Sequence, residues 1–262
     1  MIFWLFKRER KIGLALGGGA ARGLAHIGVL KVLKENKIPI HFIAGTSSGA
    51  LIGALFSSGM EIEIMAKASQ RVGCGRFVRL TLEKTGPLSG EAIEKFLDNN
   101  IGPVQFSELK IPLAVVATDL VSGKEIVIKE GKVAPAVRAS AAFPGIFSPV
   151  KMDKKVLVDG GVVSNVPVEI VKDMGAEVII AVDVIPKARM PREPENIIEV
   201  IDRSVDLILK KSSLPSLAKA GIIIEPVTEY IGSIALERSA DLIKMGEKAT
   251  EELIPLIKAK VF

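Results

Sequence analysis

The apolar positions of this chain fall into two kinds of block, separated by glycine, proline and charged turns. Stretches such as Ile12 to Leu16, Phe42 to Ala44, Ile111 to Thr118 and residues 176–184 are apolar at nearly every position, the pattern of strands covered on both faces. Between the first two, Leu24, Ile27, Val29, Leu30 and Leu33 recur at helical spacing and predict a helix to about Asn36. A second apolar helix is predicted over residues 48–59, directly after the second strand. Strand, helix, strand, helix in this order implies a right-handed βαβ unit and a parallel sheet. Further helices are predicted over 61–72, 89–100, 133–142, 166–174, 196–211 and from about 236, with Pro255 expected to kink or end the last. Residues 119–128 predict an antiparallel return through Ser122-Gly123, and 156–158 and 221–225 predict short strands. Segment 73–88 is less regular, and 185–195, rich in Pro, Arg and Lys, reads as a loop that could serve as lid or hinge. No linker or change of composition divides the chain. The expectation is one α/β domain over 1–262, a three-layer α/β/α sandwich with a mainly parallel central sheet.

Two junctions in this pattern carry candidate chemistry. The strand at 42–44 passes through Gly45-Thr46-Ser47-Ser48-Gly49 into an apolar helix, which is a G-x-S-x-G turn in strand–turn–helix context. A residue at the apex of such a turn is strained and needs small neighbours, which Gly45 and Gly49 supply. Ser47 would then project above the sheet edge, over a helix N-terminus that favours a developing anion. The first strand enters Gly17-Gly18-Gly19-Ala20-Ala21-Arg22-Gly23. That turn misses the dinucleotide pattern G-x-G-x-x-G in both registers, and the second strand ends without the acidic residue a ribose requires. Its other reading is an oxyanion hole, in which consecutive small residues aim backbone N–H groups at one spot. Adjacent parallel strands would set this turn beside Ser47.

A nucleophilic serine needs a base. His26 and His41 both precede Ser47, so the chain order Ser, acid, His of α/β-hydrolases is not available. His41 lies at the far end of the elbow strand, about 20 Å away for an extended chain, and His26 lies inside the first helix; both read as packing or surface residues. A carboxylate remains. Asp159, in VLVDGG, ends a strand, and Asp119 and Asp183, which also close strands, are its rivals.

Composition narrows the classes without choosing a substrate. The chain is 48% hydrophobic but 5% aromatic, so Val, Ile, Leu and Ala build its core. One cysteine, Cys74, excludes an intrachain disulfide and fits a reducing compartment; with two histidines it leaves no ordinary zinc site. A net charge of +5, scattered, does not argue for nucleic acid but suits an anionic lipid surface. No apolar run is long enough for a transmembrane helix. The first ten residues, MIFWLFKRER, place an apolar block before a basic one, the reverse of a signal peptide, and could rest in a membrane interface or pack on the domain or a second subunit.

Three segments in this order, GGGAARG, GTSSGA and VDGGVVSNVP, make the stretch from about Ile12 to Asp183 resemble a patatin-like phospholipase of the single-domain bacterial and archaeal kind. The resemblance implies a serine acyl hydrolase acting on phospholipid or lysophospholipid esters. It implies a Ser47–Asp159 dyad and an oxyanion hole from the amides of Gly18, Gly19 and Ala20. Arg22 stands at the motif's basic position, and Gly45, Gly49, Gly160 and Gly161 support the two turns. No cofactor and no metal are implied. Composition and the N-terminal order suggest a cytoplasmic location, with peripheral contact at the inner membrane surface, and a homo-oligomer is left open. The alternative is a non-catalytic lipid-binding or regulatory protein that keeps the fold. One departure stands out: Ala20 replaces the third glycine, which is harmless at negative φ and strained otherwise.

Overall fold

The computed structural model describes residues 10–71, 79–80 and 88–262. Cys74, the N-terminal block Met1 to Phe6 and most of segment 73–88 lie outside them. The elements run β1 (Ile12–Leu16), a 3-10 turn (Ala20–Leu24), α1 (Ala25–Glu35), β2 (Phe42–Thr46), α2 (Ser48–Ser57) and α3 (Ile62–Arg71). A short pair, β3 (Arg79–Leu80) and β4 (Leu88–Ser89), precedes α4 (Glu91–Ile101), β5 (Leu113–Asp119), β6 (Lys124–Ile128) and α5 (Val133–Ser140). Then come β7 (Val150–Met152), β8 (Lys155–Asp159), α6 (Val168–Asp173), β9 (Val178–Val182), α7 (Ile197–Leu217), β10 (Ile222–Ile224) and α8 (Ser239–Val261).

The central sheet has eight strands in the order β10-β9-β1-β2-β5-β8-β7, with β6 also on β5. Strands β10, β9, β1, β2 and β5 are parallel, whereas β6, β7 and β8 join antiparallel. Alternation along the strands sorts the faces. Ile12, Leu14 and Leu16 of β1 join Ile43, Val115 and Ile180 under α1, α2, α5 and α8. Ala15, Ala44, Ala114 and Ala181 face the other way, toward α6. With so little side chain on that second face α6 approaches closely: a β-carbon on Gly13 would stand 2.0 Å from Val171 Cγ1. The three-layer α/β expectation holds.

Strand β5 acts as a ruler for the site. Its first half pairs with β2, Thr46 lying opposite Val116, and its second half pairs with β8, Asp159 lying opposite Ala117. Strand β6 overlaps both registers, so it occupies the other edge of β5, and β2 and β8 share one edge end to end. The last residue of β2 and the last of β8 therefore meet at consecutive positions of β5.

Two helices run past the points at which the sequence suggested an end. Helix α8 does not end at Pro255, and α7 continues past its predicted end through Pro215 to Leu217. Both prolines lie on exposed positions, as do Lys211 and Glu251, whose carbonyls lose the usual donor four residues on. Water can take those carbonyls, which removes the main reason for the helix to stop. Strand β7, with no apolar run to announce it, is visible only through its pairing with β8.

Candidate active site

Ser47 sits between β2 and α2 at φ 53° and ψ −119°, a left-handed conformation that costs a non-glycine residue about 1–3 kcal/mol. The surroundings impose it. A β-carbon on Gly45 would lie 2.6 Å from the Ala50 backbone, and one on Gly49 would lie 2.1 Å from the Leu16 carbonyl oxygen, so the turn can close this tightly only with glycine on both sides. The Ser47 N–H donates to Ser140 Oγ at 2.8 Å, and the buried Ser140 hydroxyl donates to the Val116 carbonyl at 2.5 Å. Ser140 thus ties the elbow's apex amide to the ruler strand. Ser140→Ala leaves that N–H without its acceptor; we expect a stability loss of about 1–3 kcal/mol, read as a lower urea midpoint at unchanged slope.

The Asp159 carboxyl is buried beside the Ser47 hydroxyl and accepts from the Gly161 N–H at 2.8 Å. Burial pushes its pKa up to about 6, against the lowering effect of the Ser47 hydroxyl and the Gly161 N–H. Its own backbone is held on both sides, since its N–H donates to Ala142 O at 3.0 Å and its carbonyl accepts from Thr118 Oγ1 at 3.0 Å. Gly160 must be glycine for the β8 turn to pass the Val116 carbonyl, 2.2 Å from where a β-carbon would stand.

The glycine-rich turn lies beside the serine: a β-carbon on Gly18 would be 3.1 Å from Ser47 Cβ. Of the three amides expected in an oxyanion hole, that of Gly18 donates to the Asn165 carbonyl at 3.3 Å. The amides of Gly19 and Ala20 have no acceptor among the described residues. At Gly19 φ is 171° and ψ 21°. A ψ near zero keeps its nitrogen and the next on the same side of the Cα–C bond, and the extended φ turns its N–H toward that side too. Two N–H dipoles aimed the same way repel each other and create a positive site for an anion. Ala20 has φ 51°, so the alanine in place of a third glycine is strained.

The other sequence candidates have separate places. The buried Arg22 guanidinium makes a bidentate ion pair with Asp206 of α7, both contacts 2.6 Å, and its Nε donates to the Gly19 carbonyl at 3.1 Å. Asp119 caps the β5–β6 turn through Ser122, and Asp183 pairs with Lys210 at 2.8 Å, so neither rival carboxylate is turned to the serine. His26 is fully buried, its Nε2 donating to the Gly17 carbonyl at 2.8 Å, and burial lowers its pKa to about 4. His41 accepts the Ile12 N–H at 3.0 Å at the far end of β2. No cluster of His, Cys, Asp or Glu suited to a metal exists among the described residues. Sequence reasoning missed Ser140, Asn165 and Asp206. Only Asn165 carried a signal, its place in VDGGVVSNVP.

The fold and this junction define an α/β protein with a serine elbow facing a buried carboxylate at the carboxyl edge of its sheet. The patatin-like phospholipase family profile matches residues 14–172, more than half of the chain, and the chain belongs to that family. Among its relatives is an uncharacterized NTE family protein of Mycobacterium tuberculosis, 37% identical over 174 residues, which cover 66% of this chain and 48% of that protein. The lysophospholipase nte1 of Aspergillus fumigatus is 35% identical over 181 residues, 67% of this chain and 12% of its own. The chain thus spans less than half the length of these relatives. VipD from Legionella pneumophila has a similar fold, with a TM-score of 0.58 at 16% identity, covering 94% of this chain and 67% of VipD.

Proposed function

We propose that the protein is a serine acyl hydrolase of lipid esters, of phospholipase A or lysophospholipase type. The observation that carries this reading is a serine held in a strained elbow beside a buried carboxylate whose pKa is raised to about 6. Asp159 is ionised at neutral pH yet basic enough to take the hydroxyl proton. Ser47 Oγ attacks the ester carbonyl, the carbonyl oxygen becomes an anion facing the Gly19 and Ala20 amides, and the alcohol leaves with the proton from Asp159. Water, deprotonated by the same carboxylate, attacks the acyl-enzyme; Ser47 departs with that proton and the fatty acid is released. No step calls for a metal or cofactor.

Exposed apolar side chains support a lipid as substrate. Val162 and Val163 follow the Asp159 turn in the open, and Leu209 of α7 comes within 3.3 Å of where a Gly161 β-carbon would stand. On the outer side of α7, opposite Asp206, Ile197, Ile201 and Ile208 form one stripe, 68%, 52% and 63% exposed. No helix among the described residues is long and apolar enough to cross a membrane. We infer peripheral contact, with this stripe in the lipid interface. The name of the Aspergillus relative favours a lysophospholipid among the candidates.

Fluorophosphonate labelling tests the reading against a non-catalytic lipid-binding protein, because only an activated serine reacts; absence of labelling and of p-nitrophenyl butyrate hydrolysis would sink it. The interfacial part is separable. Replacing Ile197, Ile201 and Ile208 together by Ser should cut hydrolysis of phosphatidylcholine vesicles at least several-fold and leave the soluble ester unaffected. Equal losses on both substrates would exclude the stripe as an interface.

A further inference from the structure

The Gly19 and Ala20 amides point the same way although they repel, so further contacts must hold them. Each peptide here is trans and planar, so a carbonyl oxygen and the following N–H point in opposite directions. Whatever grips the Gly18 carbonyl aims the Gly19 N–H, and whatever grips the Gly19 carbonyl aims the Ala20 N–H. The first is gripped by Asn165 Nδ2 at 3.3 Å. The second takes both the Arg22 N–H and Arg22 Nε, each at 3.1 Å. Arg22 cannot turn, because Asp206 holds both ends of its fork at 2.6 Å and its Nη1 also donates to the Ile231 carbonyl at 3.3 Å.

Asn165 is also placed between the parts of the site. Its backbone carbonyl accepts the Gly18 N–H, and the preceding carbonyl, of Ser164, accepts from Thr46 Oγ1 at 2.9 Å. One short segment after the Asp159 turn therefore braces both the elbow and the glycine turn. Its buried Oδ1 has no hydrogen-bond partner among the described residues, and the amide's orientation is fixed by its Nδ2, because the flipped amide would set two oxygens face to face at Gly18.

We propose that Asn165 and the Arg22–Asp206 pair are positioning residues of the oxyanion hole, locking two successive peptide planes so that the Gly19 and Ala20 N–H groups meet the anion. This rests on the acyl-hydrolase reading and goes beyond it by assigning the residues that orient the hole. Asp206 joins the site from α7, far along the chain, and acts only through Arg22.

The test compares Asn165→Ala with the intact protein on p-nitrophenyl butyrate and on a short-chain trifluoromethyl ketone, whose reversible serine adduct carries the same tetrahedral oxyanion. The expected result is a roughly 10- to 100-fold fall in kcat with KM within about twofold, short of the loss from deleting a donor outright. The inhibition constant of the ketone should rise by the same factor as kcat/KM falls. The acid limb of the pH–rate profile should stay in place, because Asp159 is untouched. If Asn165→Ala does not fold, Asp206→Glu carries the same comparison, since it keeps the charge while shifting the guanidinium. Unchanged kinetics in a folded variant would overturn the proposal, as would a loss of rate without the matching loss of ketone affinity, or a displaced acid limb. An intact protein with no hydrolysis would instead overturn the acyl-hydrolase reading itself.

Discussion

Ser47→Ala should abolish ester hydrolysis and fluorophosphonate labelling and leave the fold in place. The hydrogen bond that sets the elbow runs from the Ser47 backbone N–H to Ser140, so it survives loss of the hydroxyl. The β-carbon stays as well, and the strain at φ 53° is neither added nor relieved. Loss of the nucleophile corresponds to roughly 3–6 kcal/mol of transition-state stabilisation, with the melting temperature nearly unchanged. Hydrolysis persisting in this variant would move the active site elsewhere.

Asp159→Asn should cost nearly as much activity while making the protein more stable at alkaline pH. The two effects have one origin. Burial raises the Asp159 pKa from 3.8 to about 6, so between those values the folded protein holds a proton that the unfolded chain has released. Stability contributed by this group is present below pH 3.8 and is lost as pH rises through about 6. A shift of about two units corresponds to roughly 3 kcal/mol at 1.36 kcal/mol per unit. The asparagine carries no charge and is still able to accept the Gly161 N–H, so its advantage should reach that order at pH 8 and vanish near pH 4. His26 works in the opposite sense. Its pKa falls from 6.5 to about 4 in the fold, so its contribution is present above 6.5 and lost as pH falls through about 4. In the intact protein the two slopes largely cancel, and Asp159→Asn should expose the histidine slope alone. Denaturant unfolding at pH 4, 6 and 8 reads all of this; an asparagine variant no more stable than the parent at pH 8 would contradict the buried carboxylate.

The rate profile carries the same group. Activity should fall on acidification with an apparent pKa of about 6, the value set by burial of Asp159. Because that value overlaps the imidazole range, the identity of the base is decided by substitution. Replacing His26 and His41 together by Gln should keep a substantial part of the turnover. A folded double variant as inactive as Ser47→Ala would end the dyad.

The elbow was legible in the sequence because its constraints are local. Gly45, Ser47 and Gly49 sit between an apolar strand and an apolar helix, and the need for glycine at both flanks follows from one tight turn. The parallel strands were legible for a similar reason, since burial on both faces leaves uninterrupted apolar runs such as Ile12 to Leu16. His26 and His41 read as packing residues, and the structure gives each a backbone partner away from Ser47.

What the chain order could not decide was which strand ends meet. Asp119, Asp159 and Asp183 all close strands, and only the pairing of β8 along the same edge of β5 as β2 brings Asp159 to the serine. The same holds for the amides. Nothing local in GGGAARG distinguishes Gly18, whose N–H is taken by Asn165, from Gly19 and Ala20, whose N–H groups have no acceptor among the described residues. Ser140, Asn165 and Asp206 touch the site only through hydrogen bonds closed across the fold, at sequence separations that leave no periodic trace. Local sterics and burial thus determined the strands, the helices and the serine turn from sequence alone. The partners of that serine were decided by sheet register and by which buried polar groups found each other, because such hydrogen bonds exist only once distant segments have packed.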